Sequence, residues 1–346
     1  MDSVLLLVIV IVTLALIFDY INGFHDAANS VATIVATRVL TPFQAVLWAA
    51  FWNFIAAIPL LYLHEAGVAK TVGAGMVNLS YVTEMVIMAG LVGAIVWNLL
   101  TWYYGIPSSS SHALMGGYAG AAIAKVVATA GLGSVMDALV LKGWIITISF
   151  IFIAPLLGLA LAYILMTMIH WIFRKSAPKK MDHWFRRLQL VSAAAFSYSH
   201  GANDAQKTMG IIAGVLVTAG YIDEFRVDWW VVLSAHAAIA LGTMSGGWRI
   251  VHTMGGRLTR LKPRGGFAAE TAGAIAILFP TFLKIPVSTT HVITGAIAGV
   301  GSIQRVKAVR WGLATNILWA WILTLPCSAL VGGITFLLIY WTTGRA

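Results

Sequence analysis

Asp26 and Asp204 each stand inside a long apolar run, and each belongs to a motif that occurs twice. Gly23-Phe24-His25-Asp26-Ala27 in the first half of the chain returns as Gly201-Ala202-Asn203-Asp204-Ala205 in the second. A second motif, Ile106-Pro107-Ser108-Ser109-Ser110-Ser111-His112, returns as Ile285-Pro286-Val287-Ser288-Thr289-Thr290-His291 at almost the same offset. A carboxylate in hydrocarbon costs ~3 kcal/mol on insertion scales and is a functional candidate for that reason. Hydroxyls grouped at the start of a helix point to an anion, because the first-turn N–H groups lack partners within the helix and its dipole favours negative charge there. Pro107 and Pro286 are expected to open these helices, since proline has no N–H to lose in a first turn. The plainer role for the same hydroxyls is N-capping.

An oxyanion beside two carboxylates repels them, and in a low dielectric the group needs cations. Na⁺ could bridge Asp26, Asn29 and Asp204, or protons could neutralise the carboxyls, whose charged forms burial disfavours. The hydroxyls of Ser109, Ser110, Ser111, Ser288, Thr289 and Thr290, with Asn203 in the second acidic motif, are therefore the candidate anion ligands. Asp26, Asn29, Asp204, Lys207 and Glu270 are the candidate coupling-ion residues. Asn29 follows Asp26 by three residues and shares its helix face; Lys207 holds the matching place after Asp204, where an ammonium could stand in for one mobile cation. His112 and His291 recur with the hydroxyl motif and suit a role in holding it, or in carrying protons. No ligand spacing suggests zinc, and no pattern suggests a bound cofactor beyond a co-transported H⁺ or Na⁺.

These residues need a membrane around them. Of 346 residues, 60% are hydrophobic and only 10% charged, against roughly 25% charged in soluble domains. Such a chain cannot clothe a soluble core in charge. Cys327 is the single cysteine, which excludes an intrachain disulfide and a cysteine metal cluster. The net charge of +10 falls in short loops between apolar runs, as positive-inside topology requires, so no nucleic-acid partner is expected.

A span needs ~20 apolar residues. Candidates are 3–21 with a continuation to 37, 43–63, 82–105, 113–124, 143–173, 189–218, 229–247, 267–285, 291–303 and 311–341. Two of these, 113–124 and 291–303, are too short to cross alone, and several are interrupted by Gly, Asn, Asp, Ser or Pro. Two unrelated motifs repeated at almost one offset mean an internal duplication, and a duplicated pair of broken helices is the pattern of a secondary-transporter site. The expected fold is an all-α polytopic membrane protein of two inverted repeats, 1–173 and 188–346, joined by a basic cytoplasmic linker, 174–187. Each repeat should contain transmembrane helices, a broken first helix and a re-entrant hairpin. Acidic residues in 219–228 place that loop outside, and the segment 267–303 then enters and leaves from the cytoplasmic side, with both termini outside.

Asn22-Gly-Phe-His-Asp-Ala-Ala-Asn29, Trp97-Asn98 leading to Gly105-Ile-Pro-Ser-Ser-Ser-Ser-His112, His200-Gly-Ala-Asn-Asp-Ala-Gln-Lys-Thr208 and Pro286-Val-Ser-Thr-Thr-His291 together resemble the PiT family of inorganic phosphate transporters. The resemblance covers nearly the whole chain. It implies a plasma-membrane symporter that imports phosphate with Na⁺ or H⁺, built of inverted repeats and assembled as a homodimer. The sequence departs from the pattern at His25, where many members have Asn, and at Lys207, where the first repeat has Asn29. Lys207 tilts the expected coupling ion towards H⁺. The competing readings are an anion channel, a carrier of a related oxyanion such as sulfate, and an intramembrane hydrolase; two near-identical Ser/Thr-His motifs argue against a single active site.

Overall fold

The computed structural model describes residues 3–63 and 66–344. The first half begins with α1 (Ser3–Ala36), α2 (Pro42–Ile55), α3 (Ala57–Leu63) and the short α4 (Gly67–Ala74). A helical hairpin follows, α5 (Glu84–Tyr104) and α6 (Ser110–Ala130), and then α7 (Leu141–Ile172). The second half runs through α8 (Pro178–Thr218), α9 (Trp229–Ser245) and α10 (Trp248–His252) to a second hairpin, α11 (Pro263–Phe282) and α12 (Thr289–Gln304), and ends with α13 (Trp311–Thr343). No strand is assigned among the described residues beyond one isolated bridge, Val77 with Leu139. Among the described residues, seven helices are long and apolar enough to cross a bilayer, or eight if α9 and α10, bent by 61°, make one span.

Four details depart from expectation. The first helix of each half is continuous, so neither α1 nor α8 is broken at its acidic motif. Polar side chains there read as interruptions, but side chains on other helices satisfy them and the backbone ladder is left intact. The segment 113–124 extends to the 21 residues of α6, equal to α5, while α12 stays short at 16. Most of the linker, from Pro178 onward, is the first turns of α8. Finally, the returning helices begin at Ser110 and Thr289, not at the prolines: Ser109 and Ser288 take the N-cap, accepting from His112 N at 3.2 Å and His291 N at 3.3 Å.

The halves exchange partners. Hairpin α5–α6 packs on α13 and hairpin α11–α12 on α7; α1 lies along α9, and α8 along α2. The glycines that recur with the hydroxyl motif make this possible. A Cβ on Gly120 would stand 2.0 Å from Ala329 O of α13, and one on Gly299 would stand 2.4 Å from Leu159 O of α7. Backbones this close exclude any side chain, the small-residue packing that holds membrane helices together. Neighbouring contacts also give the chain directions. Gly23 meets Ile239 and Gly255 meets Ala32, so the α9–α10 segment runs parallel to α1. Leu190 meets Trp48 and Gly201 meets Asn53, so α8 runs parallel to α2. Arg186 donates to Arg38 O at 2.5 Å, which brings the end of α1 beside the basic segment 174–187. The start of α1, at the other end of that 34-residue helix, therefore lies away from this basic segment.

Candidate functional site

The acidic motifs and the two hairpin tips meet at one buried point. Asp26, Asn29, Ser110, Ser111, Asp204, Lys207, Thr289 and Thr290 are all 3% exposed or less. Their contacts fall into two equivalent sets. Asp26 accepts from Ser110 Oγ at 3.2 Å, and Asp204 accepts from Thr289 Oγ1 at 3.3 Å, so each carboxylate touches the hairpin of its own half. Asn29 donates to Thr290 Oγ1 at 2.9 Å, and Lys207 donates to Ser111 Oγ at 2.5 Å, so each following residue touches the hairpin of the other half. Asn29 also donates to Thr289 Oγ1 at 3.2 Å.

Lys207 occupies the junction. Its ammonium has three protons to place, and they go to Asp204, to Ser111 and to Val287 O at 2.8 Å on the second hairpin tip. One carboxylate is thus paired with a fixed cation, while Asp26 has no lysine or arginine partner among the described residues. His25 Nδ1 lies 2.8 Å from Asp26 and His200 Nε2 lies 3.2 Å from Asp204. Ligand atoms of Asp26, His200 and Asp204 all fall within 4.8 Å of one another. The arrangement offers acceptors for a small cation from both halves, next to two helix N-termini that suit an anion.

Not every expected residue is here. Ser109 and Ser288 serve as caps, which commits an oxygen lone pair of each to backbone. Asn203 turns away, donating to Thr281 Oγ1 of α11 at 2.7 Å: one residue along a helix is a rotation of ~100°, so adjacency to Asp204 does not share its face. Glu270 is buried but forms a separate cluster, accepting from Thr33 at 2.6 Å, Gln189 at 2.9 Å and Ser192 at 2.5 Å. Thr33 sits one turn beyond Asn29, so this cluster is the next station along α1. In the other direction Asp19 is fully buried, with Asn22 donating to it at 3.5 Å and the Thr208 hydroxyl beside its carboxyl. His112 and His291 meet edge to face behind the tips, with ring centroids 4.9 Å apart, and His291 stacks on Trp321 at 4.0 Å. His200 is the site neighbour that repetition does not reveal, because its counterpart in the first acidic motif is Asn22.

A polytopic helical protein whose charged residues converge, sealed from solvent, on two hairpin tips has the construction of a membrane transporter. The sequence profile of the phosphate transporter family matches residues 22–332, and the chain belongs to that family. It is 53% identical over 331 residues to a "Probable low-affinity inorganic phosphate transporter" of Rhizobium meliloti (strain 1021), covering 95% of this chain and 96% of that one. To a Bacillus subtilis (strain 168) protein of the same description it is 46% identical over 343 residues, covering 98% and 99%. A solved structure titled "The sodium-dependent phosphate transporter" superposes with a TM-score of 0.85 over 97% of this chain and 99% of its own, at 23% identity, which establishes a shared fold. These relatives are transporters, not enzymes.

Proposed function

We propose that the protein imports inorganic phosphate by symport with a cation, moving both through the buried junction by alternating access. The observation that carries this is the paired contact set: Asp26–Ser110 with Asp204–Thr289, and Asn29–Thr290 with Lys207–Ser111. Each hairpin tip is bonded to both acid-bearing helices, so moving one tip must rearrange both. Phosphate would be held by Ser110, Ser111, Thr289 and Thr290 and the first-turn N–H groups, with Lys207 as its fixed counter-charge. Asp26 is then the carboxylate that awaits a mobile cation, with Asn29 and Asp204 as further ligands if that cation is Na⁺. Because Lys207 already pairs with Asp204, we favour H⁺ over Na⁺. Glu270, bonded to α1 and α8 from the arm of the second hairpin, suits a gating or ion-relay role.

We read the contacts as two inverted repeats with re-entrant hairpins, in support of which α8 is parallel to α2 and α1 to α9. Positive-inside topology would put the basic loops in the cytoplasm and both termini outside, in the plasma membrane. The homodimer that the PiT resemblance implies would be read from the mass of the detergent-purified protein. The substrate assignment is tested by uptake into proteoliposomes. Arsenate should compete with phosphate because it shares charge and shape. Sulfate, which has no proton to donate at neutral pH, should compete poorly; equal transport of sulfate would overturn the assignment.

A further inference from the structure

The transport reading leaves one buried acid without a task. Asp19 lies about two turns before Asp26 on the same face of α1. It is 0% exposed and enters no ion pair among the described residues. The second half does without an acid at the equivalent place: that position is Ser197, whose hydroxyl donates to Ala193 O of its own helix at 2.8 Å. The fold therefore does not ask for a carboxyl here, and an ionisable group inside a membrane span is a functional candidate by default.

The polar atoms around Asp19 are short of protons. Asn22 donates to its Oδ1 at 3.5 Å, a long bond. Asp19 Oδ2, Asn22 Oδ1 and the Oγ1 of Thr208, which stands beside the carboxyl from α8, are buried with no hydrogen-bond partner. An ionised carboxylate and an amide oxygen only accept. These three oxygens thus have the single hydroxyl proton of Thr208 to share. The charged groups that Asp19 faces on α8 are Asp204 and Lys207, which pair with each other. Lys207 has no proton to spare, since its three go to Asp204, Ser111 and Val287. On α9, His236 stands at about the level of Asp19, because Gly23 meets Ile239 one turn further along both helices. Its Nδ1–H goes to Val232 O at 2.9 Å, which leaves Nε2 of the neutral ring as one more acceptor without a donor. No titratable residue lies on α2, nor on α5 between Glu84 and Tyr103. Helices α6, α11 and α12 meet α1 from Asp26 onward, through Ser110, Glu270, Thr289 and Thr290.

A sealed carboxylate with one weak hydrogen bond and no counter-charge does not stay ionised. A proton on Oδ2 removes both faults: it cancels the charge and supplies the missing donor. A metal ion would need a fuller shell of oxygens than these three side chains provide. We propose that Asp19 is a second proton site of the carrier, filled in this sealed state, and that its proton crosses with phosphate in addition to the cation beside Asp26. The protonation stands on the geometry alone, while the crossing rests on the transport reading. When the carrier opens to the proton-poor face, water solvates the carboxylate and takes the proton as hydronium. Opening to the other face returns a proton from solution to the same oxygen, and no other bond changes.

Infrared difference spectroscopy of the purified protein at neutral pH tests the protonation without transport. A protonated carboxyl has a C=O stretch that a carboxylate lacks. Asp19→Asn should remove one component of that band. Thr208→Val, which takes away a hydrogen-bonding neighbour, should shift the same component. The thermal midpoint of Asp19→Asn should stay near that of wild type, because Asn copies the shape of the neutral acid. A band that neither substitution changes would overturn the proposal. The crossing is read in proteoliposomes held at zero membrane potential. Under a proton gradient of about tenfold, Asp19→Asn should reach a steady-state phosphate accumulation about tenfold below wild type, since one proton fewer accompanies each anion. Unchanged accumulation, or complete loss of uptake, would overturn the second proton. Wild-type protein that moves no phosphate would overturn the transport reading, while the infrared band judges the proton on Asp19 separately.

Discussion

Burying the Lys207 ammonium at 2% exposure is tolerable because Asp204, Ser111 and Val287 accept its three protons, and because the adjacent carboxylate supplies the opposite charge. Removing one partner of such a pair leaves a buried charge and costs about 3–5 kcal/mol. Asp204→Asn therefore strands the ammonium and should lower the thermal midpoint as well as abolish uptake. Asp26 has no lysine partner, so Asp26→Asn should leave the fold intact and still abolish coupled uptake; near-normal, gradient-driven uptake by this variant would remove Asp26 from the ion site. Lys207→Asn restores the residue type of the first half. It should open room for a cation and make uptake rise with Na⁺; Na⁺-independent uptake unchanged from wild type would contradict the counter-charge role. The residues at this scale were legible where they recur: both aspartates and the four tip hydroxyls stand in duplicated motifs. That Asn203 bonds to Thr281 and not at the junction was not legible, because a motif records neighbours in sequence, whereas a helix sends neighbours to different faces. Glu270 was legible as a buried acid, but nothing in one sequence discloses that Thr33, Gln189 and Ser192 enclose it apart from the aspartates.

The hairpins work as elements because glycine lets them lie against the helices of the other half. An added Cβ at Gly120 would come within 2.0 Å of a backbone carbonyl, whereas one at Gly133 would meet nothing within 4 Å. Overpacking of this kind costs about 1–3 kcal/mol. Gly120→Ala should lower the thermal midpoint of the purified protein, and Gly133→Ala should not; equal midpoints would mean that α6 can shift away from α13 without loss. The recurrence of Gly116 and Gly120 as Gly295 and Gly299 was visible in the sequence, but its purpose was not, since a contact across halves has no local signature. The continuity of α1 and α8 was hidden for a similar reason. Asp, Asn and His look like breaks in an apolar run until the partners that satisfy them are known. The length of α6 was hidden too, because Lys125 interrupts the apolar run before the helix ends at Ala130.

At the scale of the molecule, the two halves clasp each other's hairpins, and the tips reach the centre from opposite faces. Each tip is held at its own mouth: Thr253 donates to Gly105 O at 3.0 Å on one face, and Thr71 donates to Lys284 O at 2.8 Å on the other. Between the mouths, the charged residues are sealed. Such a closed centre suits a carrier that opens to one face at a time, and in the proposed symport a mobile cation beside Asp26 would link the anion's movement to an ion gradient. The most direct test is phosphate uptake into proteoliposomes with pH and Na⁺ gradients imposed separately. The account predicts accumulation above the external concentration under an inward proton gradient, saturable in phosphate and absent in Asp26→Asn. Phosphate that merely equilibrates, whichever gradient is imposed, would contradict it.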